Sequence, residues 1–291
     1  SITKPRRISE KLALFERRAA LSKSKTSELE AEAKQIREEV EKTEPKLQMP
    51  LFPGSASAMP TSLVKTSLFA NIQRGRRKVM NEAPLAVRGD YQILYTGAQL
   101  DIPDSDVFLH CVRLAQNRTA GESIHFERSA FLTAIGRKLG KSSYMHLERS
   151  MRRLAGATIY AVGEKRGQTA RLLKDLSWDD GEYWFQLDPK VMDFFTELNI
   201  AYIDFDSRLK LKCDLAKFLQ LYLSGHKAGQ KHNIKAADLH RLGGSEGRLR
   251  DFIKRALPQA LHELEREGIL IQTNISPSDI VSWFRVSVKK T

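Results

Sequence analysis

Cysteine is scarce in this chain: of 291 residues only Cys111 and Cys213 carry thiols, far apart and in no ligand spacing, which argues against a disulfide framework or a zinc site. Long apolar runs are missing too. None approaches the roughly 20 residues that would span a bilayer, and the opening SITKPRRISEKLALFERR lacks the uninterrupted apolar core of a signal peptide. The expected location is cytoplasmic, with no membrane partner. Signatures of catalysis are equally thin. No two histidines flank a single apolar residue, as a metal-dependent nicking enzyme would need, and His226 and His232 in HKAGQKH fit no ligand motif. Gly136 to Ser142 (GRKLGKS) has three residues between its glycines where a phosphate loop needs four, and it follows a helical pattern where a strand is required. The reading is therefore not an enzyme, with no catalytic residue, no cofactor and no metal.

Carboxylates are outnumbered. Lys and Arg total 48 against 35 Asp and Glu, a net charge of +13, which favours a polyanionic partner, nucleic acid first. The excess is clustered: Glu127 to Arg171 carries +7 and Arg208 to Arg255 carries +8, while Leu172 to Asp206 between them carries −7. Two basic blocks around an acidic spacer suggest two binding modules. At 41% hydrophobic and 29% charged residues the chain has the composition of a folded protein.

Residues 8 to 43 contain no Gly or Pro and favour helix, although apolar positions are too sparse to bury much. Residues 1–44 thus read as a charged helical extension. The prolines, Gly54 and small residues that follow make 45–88 a flexible linker ending in the basic arm NIQRGRRK at Asn71 to Lys78. Residues 89–204 then give a strand with a Thr-Gly turn in DYQILYTGAQL and a helix capped by Asp104 or Ser105. The short strand SIHF, two helices around a glycine turn, and strands TIYAV and RLLKDLSW flanking the tip GEKRGQ follow. Asp180-Gly181 reads as a further hairpin turn. Residues 205–291 repeat the order: a long helix from Ser207 to His226, a short one, a third over SEGRLRDFIKRALPQALHELEREG, and a hairpin around Ser276-Pro277-Ser278. Leu139-Gly140-Lys141-Ser142 aligns with Leu242-Gly243-Gly244-Ser245 as an internal duplication. The predicted class is α+β, two tandem winged-helix domains.

In such a domain the second helix of the helix-turn-helix enters the major groove, its apolar stripe inward and its basic stripe toward the bases. At 100° per residue, Leu147, Met151 and Leu154 share one face, opposite Ser142, Met145, Arg149, Arg152 and Arg153, with His146 at the edge. In the second unit Leu249, Phe252, Ile253, Ala256 and Ala260 form the apolar stripe, leaving Arg250 and Lys254 outward and Arg248 and Arg255 flanking, with a kink at Pro258. Lys165 and Arg166 at the first hairpin tip complete the candidate DNA contacts.

The YTG strand at Tyr95-Thr96-Gly97, the upstream Ser67-Leu68-Phe69 and the order of elements over Pro60 to Val288 resemble the TrfA family of plasmid replication initiators. The resemblance implies a bacterial protein that binds iteron direct repeats of double-stranded plasmid origin DNA, opens an adjacent AT-rich stretch as single strands, and recruits the host initiator and helicase. It also implies action as a monomer, with a homodimer restraining copy number. Ahead of the folded domains, Gln48-Met49-Pro50-Leu51-Phe52 resembles the family's peptide for the host polymerase sliding clamp, with Gln48, Met49, Leu51 and Phe52 as contacts and Met49 in place of Leu. A transcriptional repressor of the same fold is the alternative; it would have no use for that peptide.

Overall fold

The computed structural model describes residues 51–72, 77–162, 167–192 and 200–286. Leu47–Thr291 form one compact unit; the charged extension expected over 1–44 lies outside the described residues. Short elements come first: β1 (Ala56–Pro60), α1 (Thr61–Val64), β2 (Phe69–Ala70), β3 (Val79–Pro84), β4 (Gln92–Ala98) and β5 (Leu100–Asp101). A first module follows with α2 (Ile102–Leu114), β6 (Ile124–Glu127), α3 (Arg128–Ala134), α4 (Lys141–Ala155), β7 (Thr158–Val162), β8 (Gly167–Arg171), β9 (Leu173–Asp179) and β10 (Glu182–Leu187). The connection holds α5 (Pro189–Met192), β11 (Ile200–Asp204) and α6 (Phe205–Lys210). A second module has α7 (Asp214–Ser224), β12 (Lys231–Lys235), α8 (Ala236–Leu242) and α9 (Leu249–Asp251). A π-helical turn (Phe252–Ala256), α10 (Leu257–Arg266), β13 (Leu270–Ile275) and β14 (Ile280–Arg285) complete it. The fold is α+β.

Apart from β7–β8, inserted after α4 in the first, each module runs helix, strand, helix, turn, helix, hairpin, and each three-stranded sheet is ordered alike: β6-β10-β9 in the first and β12-β14-β13 in the second. The hairpin that closes the first module is β9–β10. Its turn at Asp180 (φ 38°) and Gly181 (φ 90°) has the two positive φ values that a two-residue hairpin loop needs. The two strands expected to form it are split between sheets: TIYAV is β7 and pairs with β8 in the separate sheet β3-β4-β7-β8, while RLLKDLSW becomes β9 and pairs with β10. Both hairpins satisfy strand patterning, and only the partner strand distinguishes them.

Several local expectations are corrected. Thr96-Gly97 is not a turn: β4 runs through it, and Gly97 is required because a Cβ there would lie 2.9 Å from the Gly156 carbonyl at φ +140°. The cap of α2 is Asp101, which accepts from the Asp104 amide while Asp104 accepts from the Asp101 amide. The long helix expected from Ser207 is divided into α6 and α7. The duplicated turn aligns differently from the expected Gly140/Gly243 match. Gly136 (φ 68°) and Gly244 (φ 64°) are the equivalent left-handed residues. After each, the next amide closes a six-residue loop, Arg137 onto the Leu132 carbonyl and Ser245 onto that of His240.

Residues 45–88 are not simply a linker. Ala56, Ala58 and Met59 are fully buried, and β1 pairs antiparallel with β11 from Ala56↔Asp204 to Pro60↔Ile200. The backbone ahead of β1 is tied to α2, where Arg113 donates to the Gly54 carbonyl (2.7 Å) and Gln116 to that of Phe52 (2.6 Å). The two modules meet at a buried ionic cluster. Arg208, with no exposed surface, donates to Asp106 (2.7 Å) and Ser105 (2.6 Å) of α2 and to the Lys217 carbonyl (2.8 Å), while the Lys217 ammonium pairs with Asp106 at 2.6 Å. Burial disfavours the Asp106 carboxylate, but Arg208 and Lys217 more than offset it and hold its pKa below the ordinary value.

Candidate nucleic-acid interface

Lys141–Ala155 folds as a regular helix because Leu147, Met151 and Leu154 recur at helical spacing, and all three are fully buried. Burying side chains of this size contributes about 1.5–3 kcal/mol each. The opposite face carries Ser142, Met145, Arg149 and Arg152, all exposed. Ser142, Met145 and Arg149 line a groove of about 1090 Å³ together with His146, Lys141, Arg137, Arg77 and Ile72. Arg153 and the carboxylates Asp101 and Asp214 line it as well, so its cations outnumber its acids five to two and suit a phosphate backbone. Burial, reinforced by Arg137, pushes the His146 imidazole down to about 4, so it is neutral at pH 7 and offers hydrogen bonding without charge.

Two arginines expected as contacts have protein partners, although Arg153 also lines the groove. Arg153 turns inward to Asp104, a fully buried carboxylate, at 3.0 and 2.6 Å. Asp104 also accepts from the Ser150 hydroxyl and from Arg77 (3.1 Å). Burial raises the Asp104 pKa, but Arg153 and Ser150 outweigh it and the carboxyl sits below the ordinary range. Arg153 is therefore a tether that fixes α4 on the start of α2. Arg152 stays exposed but pairs with Glu148 at 2.7 Å and lies 4.5 Å over the Trp178 ring of β9. A helical wheel places a side chain on a face and says nothing of which neighbour from another element it will find.

In the second module Arg248, Arg250, Lys254 and Arg255 are all exposed, and Arg248 and Arg255 line a second groove of about 510 Å³ with Asn71, Ile72, Ser245 and Asp251. The expected apolar stripe is altered. Leu249 is 39% exposed, and the buried positions are Phe252, Leu257, Ala260, Leu261 and Leu264. The cause is the π turn, in which the Leu257 amide donates to the Phe252 carbonyl five residues back. One extra residue in the turn moves the stripe from Ala256 to Leu257. Pro258 follows at once; lacking an amide, it fits where the regular ladder is already interrupted.

Lys165, Arg166, Gln48 and Met49 lie outside the described residues. Leu51 is 71% exposed, whereas Phe52, expected to be presented with it, is seated in the core at 7%. The groove residues Arg77, Arg137 and Lys141 were not among the expected contacts. The basic arm and the GRKLGK stretch mark them as cations; in the fold Lys141 opens α4, the α3–α4 turn carries Arg137, and Asp101 and Asp104 hold Arg77. The GRKLGKS stretch joins α3 to α4, so no strand precedes it, as a phosphate loop would require.

A model of the TrfA protein family matches residues 10–282. Among solved structures the chain is similar to the Pi initiator protein in complex with iteron DNA, at 10% identity and a TM-score of 0.56, over 82% of this chain and 100% of that one. It also resembles RctB domains 2–3, at 13% identity and a TM-score of 0.49, over 76% of this chain and 95% of that one. No curated protein sequence matches it.

Proposed function

The chain belongs to the TrfA family, and from that premise we propose that it is a plasmid replication initiator that binds iteron repeats at an origin through two winged-helix modules in one chain. The observation that carries this reading is the pairing of two exposed basic helices, α4 with Arg149 and the segment from Arg248 to Arg255, on duplicated modules whose grooves share Ile72. Two major-groove helices in one chain do the work that a symmetric dimer does for a palindrome, so direct repeats are the fitting target. The Pi initiator supports the target class, since its crystal structure contains iteron DNA.

The test is selection of duplexes from a random library, followed by footprinting of the selected site at two salt concentrations. Two protected segments about one helical turn apart that survive the higher salt are the expected result. A single palindromic footprint would replace this reading with a repressor, and protection that vanishes with salt would leave a non-specific basic protein.

Recruitment of a sliding clamp by Gln48 to Phe52 enters the proposal in one form only: Leu51 docks first, and Phe52 must leave its seat to follow. Leu51→Ala is the clean variant, because it removes an exposed side chain, while Phe52→Ala also removes core packing. Clamp affinity unchanged in Leu51→Ala would end that part of the reading.

A further inference from the structure

We infer that Phe69–Asn71 and the end of the basic arm, Arg77–Lys78, form a strap that sets the spacing between the two reading helices, with Gly244 as the residue that fixes its fit. The inference rests on the two-helix DNA reading above.

The strap touches the first module along one edge. β2 pairs parallel with β5, Phe69 opposite Leu100 and Ala70 opposite Asp101. Arg77 donates to the Gln99 carbonyl and to Asp101, and reaches Asp104 at 3.1 Å. Asp104 is the carboxylate that holds α4 through Ser150 and Arg153, so the strap ends on the group that positions the first reading helix.

The same described residues also touch the turn that launches the second reading helix. The Asn71 amide donates to the Gly243 carbonyl at 2.7 Å, and Lys78 pairs with Glu246 at 2.6 Å. Between those contacts the surfaces meet without slack. A Cβ on Gly244 would stand 2.6 Å from the Ala70 Cβ, and Gly244 already holds φ +64°. Ala70 is itself 1% exposed. A glycine is needed here for close approach as well as for backbone conformation, and the approach is between modules.

The buried Arg208 cluster joins the modules through α2, α6 and α7. The strap joins the start of α2, whose Asp104 seats α4, to the turn that leads into α9, and its Ile72 lines both grooves. One base pair advances a site by about 3.4 Å and turns it by about 35°, so a misfit of a few ångströms between Ala70 and the α8–α9 turn is on the scale that separates one spacing from the next.

The experiment compares the wild type, Gly244→Ala and the exchange Ala70→Gly/Gly244→Ala on the selected site and on the same site with one base pair inserted between its two protected segments. The exchange removes the clashing methyl but keeps the backbone strain, so it separates fit from strain. The wild type is expected to lose about tenfold or more in affinity on insertion, Gly244→Ala less than about threefold, and the exchange to regain the wild-type ratio. Glu246→Lys, a surface change that repels Lys78, should move the ratio in the same direction as Gly244→Ala without any risk to the core. Equal losses on both sites for Gly244→Ala, a wild-type ratio in both single variants, or an exchange that fails to restore it would each overturn the inference. A wild type indifferent to spacing would overturn it while leaving DNA binding intact. A wild type with no specific site would bring down the two-helix reading itself.

Discussion

The two modules share element order and sheet order, yet they hold their basic helices by different means. In the first, α4 is a regular helix of 15 residues anchored by a buried carboxylate: Asp104 takes Ser150 and Arg153, and Trp178 and Glu148 take Arg152. In the second, the helix is interrupted by a π turn, and Arg248, Arg250, Lys254 and Arg255 enter no side-chain ion pair among the described residues. The difference teaches that positive charge is used twice over. Two of the three arginines of α4, Arg152 and Arg153, already have partners within the module, and under the proposed DNA reading this leaves Arg149 with Ser142 and Met145 as the reading set. The second helix leaves its four cations exposed, and under the proposed DNA reading they are available to phosphate. Side chains fixed by partners suit base reading, whereas exposed cations without ion-pair partners suit sequence-independent grip.

The largest way to break this arrangement is at the join. Arg208→Met leaves Asp106 buried with only Lys217 as a charged partner, and removing one member of a buried ionic cluster costs about 3–5 kcal/mol. Denaturant unfolding should show that loss. A change under about 1 kcal/mol would mean that the modules do not depend on the cluster.

The next effect is acid sensitivity of the first module. His110 of α2 is 8% exposed between Phe131 and Phe205, its Nδ1 has no partner among the described residues, and burial beside Arg113 pushes its pKa from 6.5 to about 4. In the window between those values the unfolded chain binds the proton and the folded chain does not, so stability is full above pH 6.5 and falls as pH drops toward 4, by roughly 3 kcal/mol in all. His110→Phe should flatten that slope in unfolding measurements at several pH values. An unchanged slope would place the acid sensitivity elsewhere, with His226 of α7–β12 next to test, since burial holds it at about 4 as well.

The functional contrast sharpens through one substitution in each module. Arg149→Glu is expected to cost about 1–3 kcal/mol on the selected site and to relax preference at one position. Arg250→Glu should weaken selected and random duplexes alike and lower the salt dependence by about one unit of slope. Competition binding at several salt concentrations reads both. If Arg250→Glu also altered sequence preference, the division between reading and grip would be wrong.

Much of this was legible in the sequence, and the exceptions share a cause. The apolar period that buries Leu147, Met151 and Leu154, and the Asp180-Gly181 turn, depend on near neighbours and could be read directly. The seat of Arg153 depends on Asp104, forty-nine positions away, and the partner of β6 depends on which of two hairpins reaches it. The π turn was half visible: Pro258 marked an interruption, but its absorption by an extra residue follows from packing Leu257. The core seat of Phe52 is invisible locally, because nothing near it shows that α2 will hold its carbonyl through Gln116.

Arg152 gives the smallest and most discriminating outcome. The wheel puts it beside Arg149 on the outward face, and by charge alone the two should matter equally. In the fold its guanidinium lies over Trp178 while pairing with Glu148, so any phosphate must compete with partners already in place. Both contacts are exposed, and such pairs are worth about 1 kcal/mol or less. Arg152→Ala should therefore cost less than about threefold in affinity for the selected duplex, against the larger loss at Arg149. Glu148→Ala supplies the converse, because it releases one of the two competitors and should raise affinity slightly at low salt. Equal losses for Arg149 and Arg152, each replaced by Ala, would show that Arg152 leaves Trp178 when DNA arrives, and the reading set of α4 would then have to include it.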